Sequence, residues 1–398
     1  MTKKKRKIHL LKENSDTMIN LMLIILIICG TLMIISTNVG QTTQNSKVVL
    51  TTLIKQIIII VISYICMIGA NKFTVFRYKS IFQVGACLAM ICLLFVPFLF
   101  PAVNGAKSWI LLGPFSIQPS EFAKPFIVVA IAYAVKNYQA QRRKEKQTKP
   151  FHKAYRGVLV LIIAVFAIVM VQKDTGTAII ILMIAFVCLI VPQFEEHRTV
   201  IKNLKRLFMA GCIGILVLFC FTDIGIKFIE KTPFSHIAVR FENMKNPYDD
   251  VYDEGYQPAN ALYGIANSNI TGRGIGNSDR KYGYLTQADN DYIFAVLIEE
   301  TGIFGLAILV GCYGTLIYRL FYYARKAKKI EHKIVFMGNI TYLFMHFFLN
   351  VGGVTCLIPM TGVPLLFISS GGSSLMAIMA MFGVSQRCIS DMHNEGGN

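Results

Sequence analysis

Asp291 is the residue best placed for chemistry in this chain. It lies within a polar stretch, GYQPANALYGIANSNITGRGIGNSDRKYGYLTQADNDYIFAVLIEETG (Gly255 to Gly302), whose glycines, amides and charges run without interruption into an apolar segment. An acid at the junction where water gives way to hydrocarbon suits a reaction on an amphiphile, because an ionisable group is costly at membrane depth unless it has a task there. Cations stand in other outward-facing segments. Lys124, in QPSEFAK, lies just inside an apolar run and shares a helix face with Glu121 three residues earlier; it either pairs with that acid or meets an anionic ligand. Lys173 and Asp174, in QKDTGT, occupy a hairpin too short to do more than turn. They either neutralise each other at the membrane's outer edge, or Asp174 caps the helix that follows.

Tertiary structure has to bring such scattered segments together, and the composition calls for a membrane bundle. Hydrophobic residues make up 54% of the chain, mean hydropathy is +0.54 and charged residues are 16%, against about 25% in soluble domains. The formal net charge of +18 raises nucleic acid as a partner, but that reading needs the bases on one folded face. Their placement follows membrane topology instead. Ten apolar runs fall at 18–36, 51–70, 81–101, 121–136, 157–172, 177–193, 207–224, 292–318, 334–352 and 372–386. The first follows a basic segment, as in a signal peptide, yet it is long enough to span and lacks a small-residue cleavage site, so it reads as an uncleaved helix. The expected fold is all-α and polytopic, with about ten transmembrane helices. A basic cytoplasmic tail (1–17) precedes the transmembrane domain (18–386), which holds a long extracellular loop (225–290) between spans 7 and 8; a cytoplasmic tail (387–398) follows. With the N-terminus inside, 28 of the 40 Lys and Arg fall in inner loops, as the positive-inside rule requires.

Several motifs have plain explanations. The basic loop QRRKEKQTKPFHKAYR (141–156) reads as an orientation signal in contact with anionic lipid. Trp109 reads as an interfacial belt residue. GRGIG (272–276) superficially resembles a phosphate-cradling loop, but no strand precedes it, so its glycines are assigned to turns. NVGGVTCLIPMTGVPLLFISSGGSS (350–374) has five glycines and two prolines; it reads as a broken or re-entrant element packed against the site, since irregular backbone at membrane depth must be covered by protein or line a wet cavity. The ten cysteines lie in or beside apolar runs and read as small buried hydrophobes. No HExxH occurs among the seven histidines, which argues against a protein-built zinc site.

Six ordered motifs carry a family resemblance: QPSEFAK (118–124), QKDTGTA (172–178), GYQ (255–257), GRGIGNS (272–278), DNDYIFAVLIEETG (289–302) and GVPLLFISSGGSS (362–374). In this order they resemble the SEDS family of FtsW, RodA and SpoVE, over nearly all of the chain outside the basic tail. The resemblance implies a multi-pass protein of the bacterial cytoplasmic membrane, both termini cytoplasmic and the active site facing outward. The implied activity is an inverting peptidoglycan glycosyltransferase that polymerises lipid II, with undecaprenyl pyrophosphate as leaving group. Implied partners are lipid II, a class B penicillin-binding protein, other divisome membrane proteins and membrane lipids, with no nucleic acid. The family's catalytic aspartate precedes an aromatic-Ile-Phe triplet, which places it at Asp291 in DYIF. Such a transfer needs a base at the acceptor hydroxyl and cations at the pyrophosphate. Asp291 is therefore expected as general base and Lys124 as the first pyrophosphate contact. Arg240 and Gln257 are expected as further sugar or phosphate contacts, with Lys173 and Asp174 in the substrate-binding set. No cofactor is assigned, and a divalent cation at the pyrophosphate is left open. Glu299 and Glu300 match paired acids of the family; they lie about 12 Å deeper by helical rise and are expected to balance buried cations such as Lys55.

Lys173, Thr175, Ser268, Asn269, Leu366 and Ser370 depart from the family pattern, which bears on sugar and pyrophosphate contacts. Two other functions fit a polar cavity in such a bundle. A lipid II flippase needs charges along a path to both faces, whereas here they concentrate at the outer mouth. A scaffold that only recruits the penicillin-binding protein makes Asp291 dispensable. NVGGVTCLIPMTGV looks more like FtsW of Gram-positive bacteria than RodA, so septal synthesis is preferred over elongation.

Overall fold

The computed structural model describes residues 15–396 apart from 42–45, 73–79, 104, 114, 219–221, 223, 232–234 and 250–254. Most of the basic tail thus lies outside the described residues. The chain forms helices α1 (Thr17–Gln41), α2 (Ser46–Lys72), α3 (Ser80–Phe95), α4 (Pro119–Glu145), α5 (Phe151–Ala154), α6 (Arg156–Val171) and α7 (Thr175–Ile190). They continue as α8 (Arg198–Leu216), α9 (Ile224–Glu230), α10 (Ser235–Lys245), α11 (Tyr256–Ala266), α12 (Ile293–Lys326), α13 (Ile330–Val354) and α14 (Gly372–Gly396). Every predicted apolar run has its helix. Four, α1, α2, α12 and α13, are long and apolar enough to cross a membrane, and α3, α6 and α7 provide shorter apolar helices. Length and composition alone do not raise that to ten spans.

Two features were not expected from the sequence, a β-hairpin and a helical stretch. Ile110–Leu112 (β1) and Phe115–Ile117 (β2) pair antiparallel, Ile110 opposite Ile117, in an otherwise helical fold. The stretch 225–290, expected as a loop, carries α9 to α11, of which α10 and α11 have apolar residues at helical spacing too short to span.

The core runs through Leu23, Ile127, Val165, Ile181, Leu316, Phe336 and Phe382, all fully enclosed. Apolar side chains also cover the outside, including Ile65 on α2, Ile163 on α6 and Phe304 on α12. Such an inside and outside belong together in lipid, where the backbone must satisfy itself within helices. The segment after α13 is the exception and is irregular as predicted. Its residues 363–369 are nearly all buried. Leu357 N donates to Gly352 O at 2.8 Å and Leu365 N to Ser369 Oγ at 2.9 Å, so hydroxyl and carbonyl groups nearby replace the missing ladder. α1 passes directly over this segment at Gly30, where a Cβ would lie 1.9 Å from the Phe367 carbonyl oxygen.

Candidate active site

Asp291 sits in the turn that leads into α12, and its main chain is laced to the irregular segment. Asn350 Nδ2 donates to the carbonyls of Asp291 and Val363, both at 3.0 Å. Ser369 Oγ donates to Asn290 O at 2.8 Å, and Ser370 N to Asp289 O at 3.0 Å. The carboxylate is left for other work: Oδ1 is buried with no hydrogen-bond partner. A Cβ at Gly362 would come within 3.8 Å of Oδ2, so the wall facing Asp291 is backbone.

Two cavities meet at this side chain. One of about 370 Å³ is lined by Trp109, Gln118, Lys173, Asp174 and Ser373 among others. A second, of about 220 Å³, is lined by Gln257, Tyr292, Cys356 and Met360 among others. Both have Arg240, Gln287, Asp291 and Gly362 in their walls. Burial pushes the Asp291 carboxyl up; Arg240 pulls it back, Asp289 adds to the rise, and the result is a pKa of about 6. A carboxylate tuned there is ionised near neutrality yet basic enough to take a proton.

The cavities gather most of the predicted residues from distant parts of the chain. Arg240 comes from α10 and Gln257 from the first turn of α11, its Oε1 buried without a partner. Asp174 caps α7, its Oδ1 accepting from Thr177 N at 3.2 Å. Its other oxygen accepts from Gln118 Nε2 at 2.6 Å and from Ser120 Oγ at 3.3 Å. Lys173 does not neutralise it. With φ of 63° the Lys173 backbone turns in the left-handed region, and its exposed side chain lines the larger cavity without an ion pair among the described residues. Trp109 lines that cavity too, which the belt reading missed. Gln118 and Ser373, within the QPSEFAK and GVPLLFISSGGSS motifs, line it as well; Ser373 Oγ accepts from Gln118 N at 2.9 Å and so joins the two.

Lys124 requires a correction. It is fully enclosed, Nζ lying 2.6 Å from Glu121 Oε1 and 2.9 Å from His346 Nε2. The pairing alternative is realised, and direct contact with a pyrophosphate is not available to an ammonium group sealed among its own partners.

Sequence comparison decides the family. A model covering the FtsW, RodA and SpoVE proteins, described as cell cycle protein, matches residues 16–393. The chain belongs to the FtsW/RodA/SpoVE family. It is 32% identical over 326 residues to the probable peptidoglycan glycosyltransferase FtsW of Bacillus subtilis, covering 78% of this chain and 74% of that one. Stage V sporulation protein E of the same organism is 30% identical over 298 residues, 75% of each chain. The fold matches a chain from a structure described as structural coordination of polymerization and crosslinking by a peptidoglycan synthase complex. There the TM-score is 0.67 at 21% identity, covering 96% of this chain and 99% of the other. It also matches the rod shape determining protein RodA of Thermus thermophilus, at TM-score 0.60 and 20% identity, covering 96% and 98%. Family membership and the four long apolar helices make this a protein of the cytoplasmic membrane.

In this FtsW/RodA/SpoVE protein the paired acids do not balance Lys55, which is exposed on α2. Glu300 Oε1 instead meets Lys281 Nζ at 2.9 Å and Ser36 Oγ at 2.6 Å, all three residues buried. Glu299 accepts from Ser278 Oγ at 2.5 Å and Asp279 N at 3.2 Å, and lies 3.6 Å from Arg273. α12 is broken just beyond them at Gly302 (φ 60°, ψ −146°), which frees the Glu299 and Glu300 carbonyls from the helical ladder. Arg273 N and Gly274 N donate to them at 2.8 and 2.9 Å. GRGIG is thus a turn that docks on a broken helix, and a Cβ at Gly272 would lie 2.3 Å from the Glu300 carbonyl oxygen. Asn269, where the family often has glycine, adopts φ of 54°, which asparagine tolerates.

Proposed function

We propose that this chain is a peptidoglycan glycosyltransferase that polymerises lipid II at the outer face of the cytoplasmic membrane, with Asp291 as general base. The observation that carries this reading is the position of one carboxylate, its Oδ1 without a hydrogen-bond partner and its pKa raised to about 6, at the meeting point of two cavities. A polymerase has to bring two substrates to one base. The C4 hydroxyl oxygen of the acceptor GlcNAc attacks the anomeric carbon of the donor MurNAc while its proton passes to Asp291. The bond to undecaprenyl pyrophosphate breaks with its electron pair going to the departing phosphate oxygen, inverting the anomeric centre. That charge needs cations rather than an acid, and Lys173 and Arg240 line the cavity where they serve. Gln257 and Asp174 orient sugar and wall respectively.

The relatives' names extend the reading to septal synthesis, since FtsW of Bacillus subtilis and of Lactococcus lactis are both matched at 32% identity. A class B penicillin-binding protein is the partner this activity calls for, and both termini are placed in the cytoplasm. A flippase would need a polar path continuing inward. Deeper along α4, Glu121 and Lys124 instead form a closed, fully enclosed pair.

The test is polymerisation of labelled lipid II by the purified chain with its cognate partner. The native complex should make glycan strands, and Asp291→Asn, still folded and partner-bound, should make none. Strands from both would remove Asp291 as base. Transfer of lipid II across vesicles by a native protein that makes no strands would replace the polymerase with a transporter.

A further inference from the structure

His346 lies outside the motifs and outside both cavity walls, yet it stands between Lys124 and the active-site wall. Its Nε2 is 2.9 Å from Lys124 Nζ and its Nδ1 is 2.9 Å from the Pro364 carbonyl oxygen. These two contacts determine its protonation. An ammonium has donors only, so Nε2 must accept from Lys124; a carbonyl accepts only, so Nδ1 must carry the proton and donate. His346 is therefore the neutral Nδ1–H tautomer, and Glu121 balances the lysine charge at 2.6 Å. An imidazolium would set two like charges 2.9 Å apart in a fully enclosed site.

The carbonyl it holds belongs to the wall. Pro364 and Thr361 line the larger cavity, and Gly362 borders both. One turn further along α13, Asn350 grips the preceding carbonyl, that of Val363, and the Asp291 carbonyl with the same amide. Two side chains spaced i, i+4 on one helix thus hold consecutive carbonyls of an irregular segment that has no ladder of its own.

We propose that His346 is a positioning residue: locked in one tautomer by the buried Lys124–Glu121 pair, it braces Thr361–Pro364 so that the backbone wall faces Asp291 at a fixed distance. Lys124 acts on the site through this imidazole and not by touching substrate. The catalytic consequence rests on the proposed polymerase activity, whereas the brace itself does not.

Two variants separate this from simple loss of packing. In His346→Gln the side-chain oxygen accepts from Lys124 and the NH₂ donates to Pro364, so both contacts are restored without an imidazole. His346→Leu fills the space and makes neither. Hydrogen exchange read by mass spectrometry on the detergent-solubilised full chain should show faster exchange over 361–369 in His346→Leu, with His346→Gln matching the native chain. With lipid II and the cognate partner, His346→Leu should lose about 100-fold in kcat with KM little changed, and His346→Gln should stay within about threefold of native, a small effect by the same positional argument. Native-like exchange in His346→Leu overturns the brace, and so does equal loosening in both variants. The expected exchange contrast alongside a native chain that makes no glycan upholds the brace and overturns the polymerase reading instead.

Discussion

Asn350 on α13 holds Asp291 by its main chain, the amide nitrogen lying 3.0 Å from the Asp291 carbonyl oxygen and 3.0 Å from that of Val363. One neutral side chain thereby joins the turn that carries the acid to the segment that forms the facing wall. Asn350→Leu should leave one buried and one part-buried carbonyl without this donor and lower the polymerisation rate by about 10- to 100-fold. Steady-state kinetics on a variant that still binds its partner would check this; unchanged rates would mean that the turn holds its shape without the amide.

With Asp291 as the proposed base, its raised pKa should set the acid limb of the rate profile. Only the ionised form accepts a proton, so kcat/KM should fall about tenfold per pH unit below about 6. Arg240 is the group that pulls this pKa down. Arg240→Gln should therefore shift the limb to higher pH, and a limb that stays in place would show that Arg240 is too well screened to tune the base.

Stability carries the opposite sign. The folded-state pKa of Asp291 lies above its ordinary value of 3.8, so stability from this group is fully present below that value and is lost as pH rises through about 6. Near neutrality the ionised carboxylate destabilises the fold. Asp291→Asn should then stabilise the fold near pH 7 by on the order of 1–3 kcal/mol, read as a higher thermal midpoint, while abolishing activity. Repeating the melt near pH 4 should shrink the difference.

Lys281 and Glu300 form the opposite case, a buried pair at 2.9 Å with no exposure on either side. Removing one partner leaves an uncompensated charge, and Lys281→Met should cost about 3–5 kcal/mol. Thermal unfolding in detergent should show Lys281→Met combined with Glu300→Gln recovering part of that loss.

Lys173 is the exposed cation at the cavity mouth. With Lys173 stabilising the leaving group as proposed, Lys173→Ala should lower kcat/KM by about tenfold with no change in melting, since the exposed side chain contributes no packing. Normal kinetics would sink its role at the pyrophosphate.

The helix-forming apolar runs and the irregular stretch at 350–374 were legible from the sequence, because hydropathy and glycine or proline content act locally along the chain. Asp291 was legible too, from its place at the end of a polar run and from the motif around it. What the chain does with its buried charges was not. Lys281 lies 19 residues from Glu300 and outside its helix, and His346 lies 222 from Lys124, and no periodicity joins such positions. Lys124 shows the limit best: its sequence allowed an ion pair or a ligand, and only the closeness of Glu121 and His346 in an enclosed space decided for the pair. Local pattern determines which elements form and which faces are apolar, since those energies add residue by residue. Partner choice among buried charges depends on desolvation and distance in three dimensions, and those are properties of the packed bundle alone.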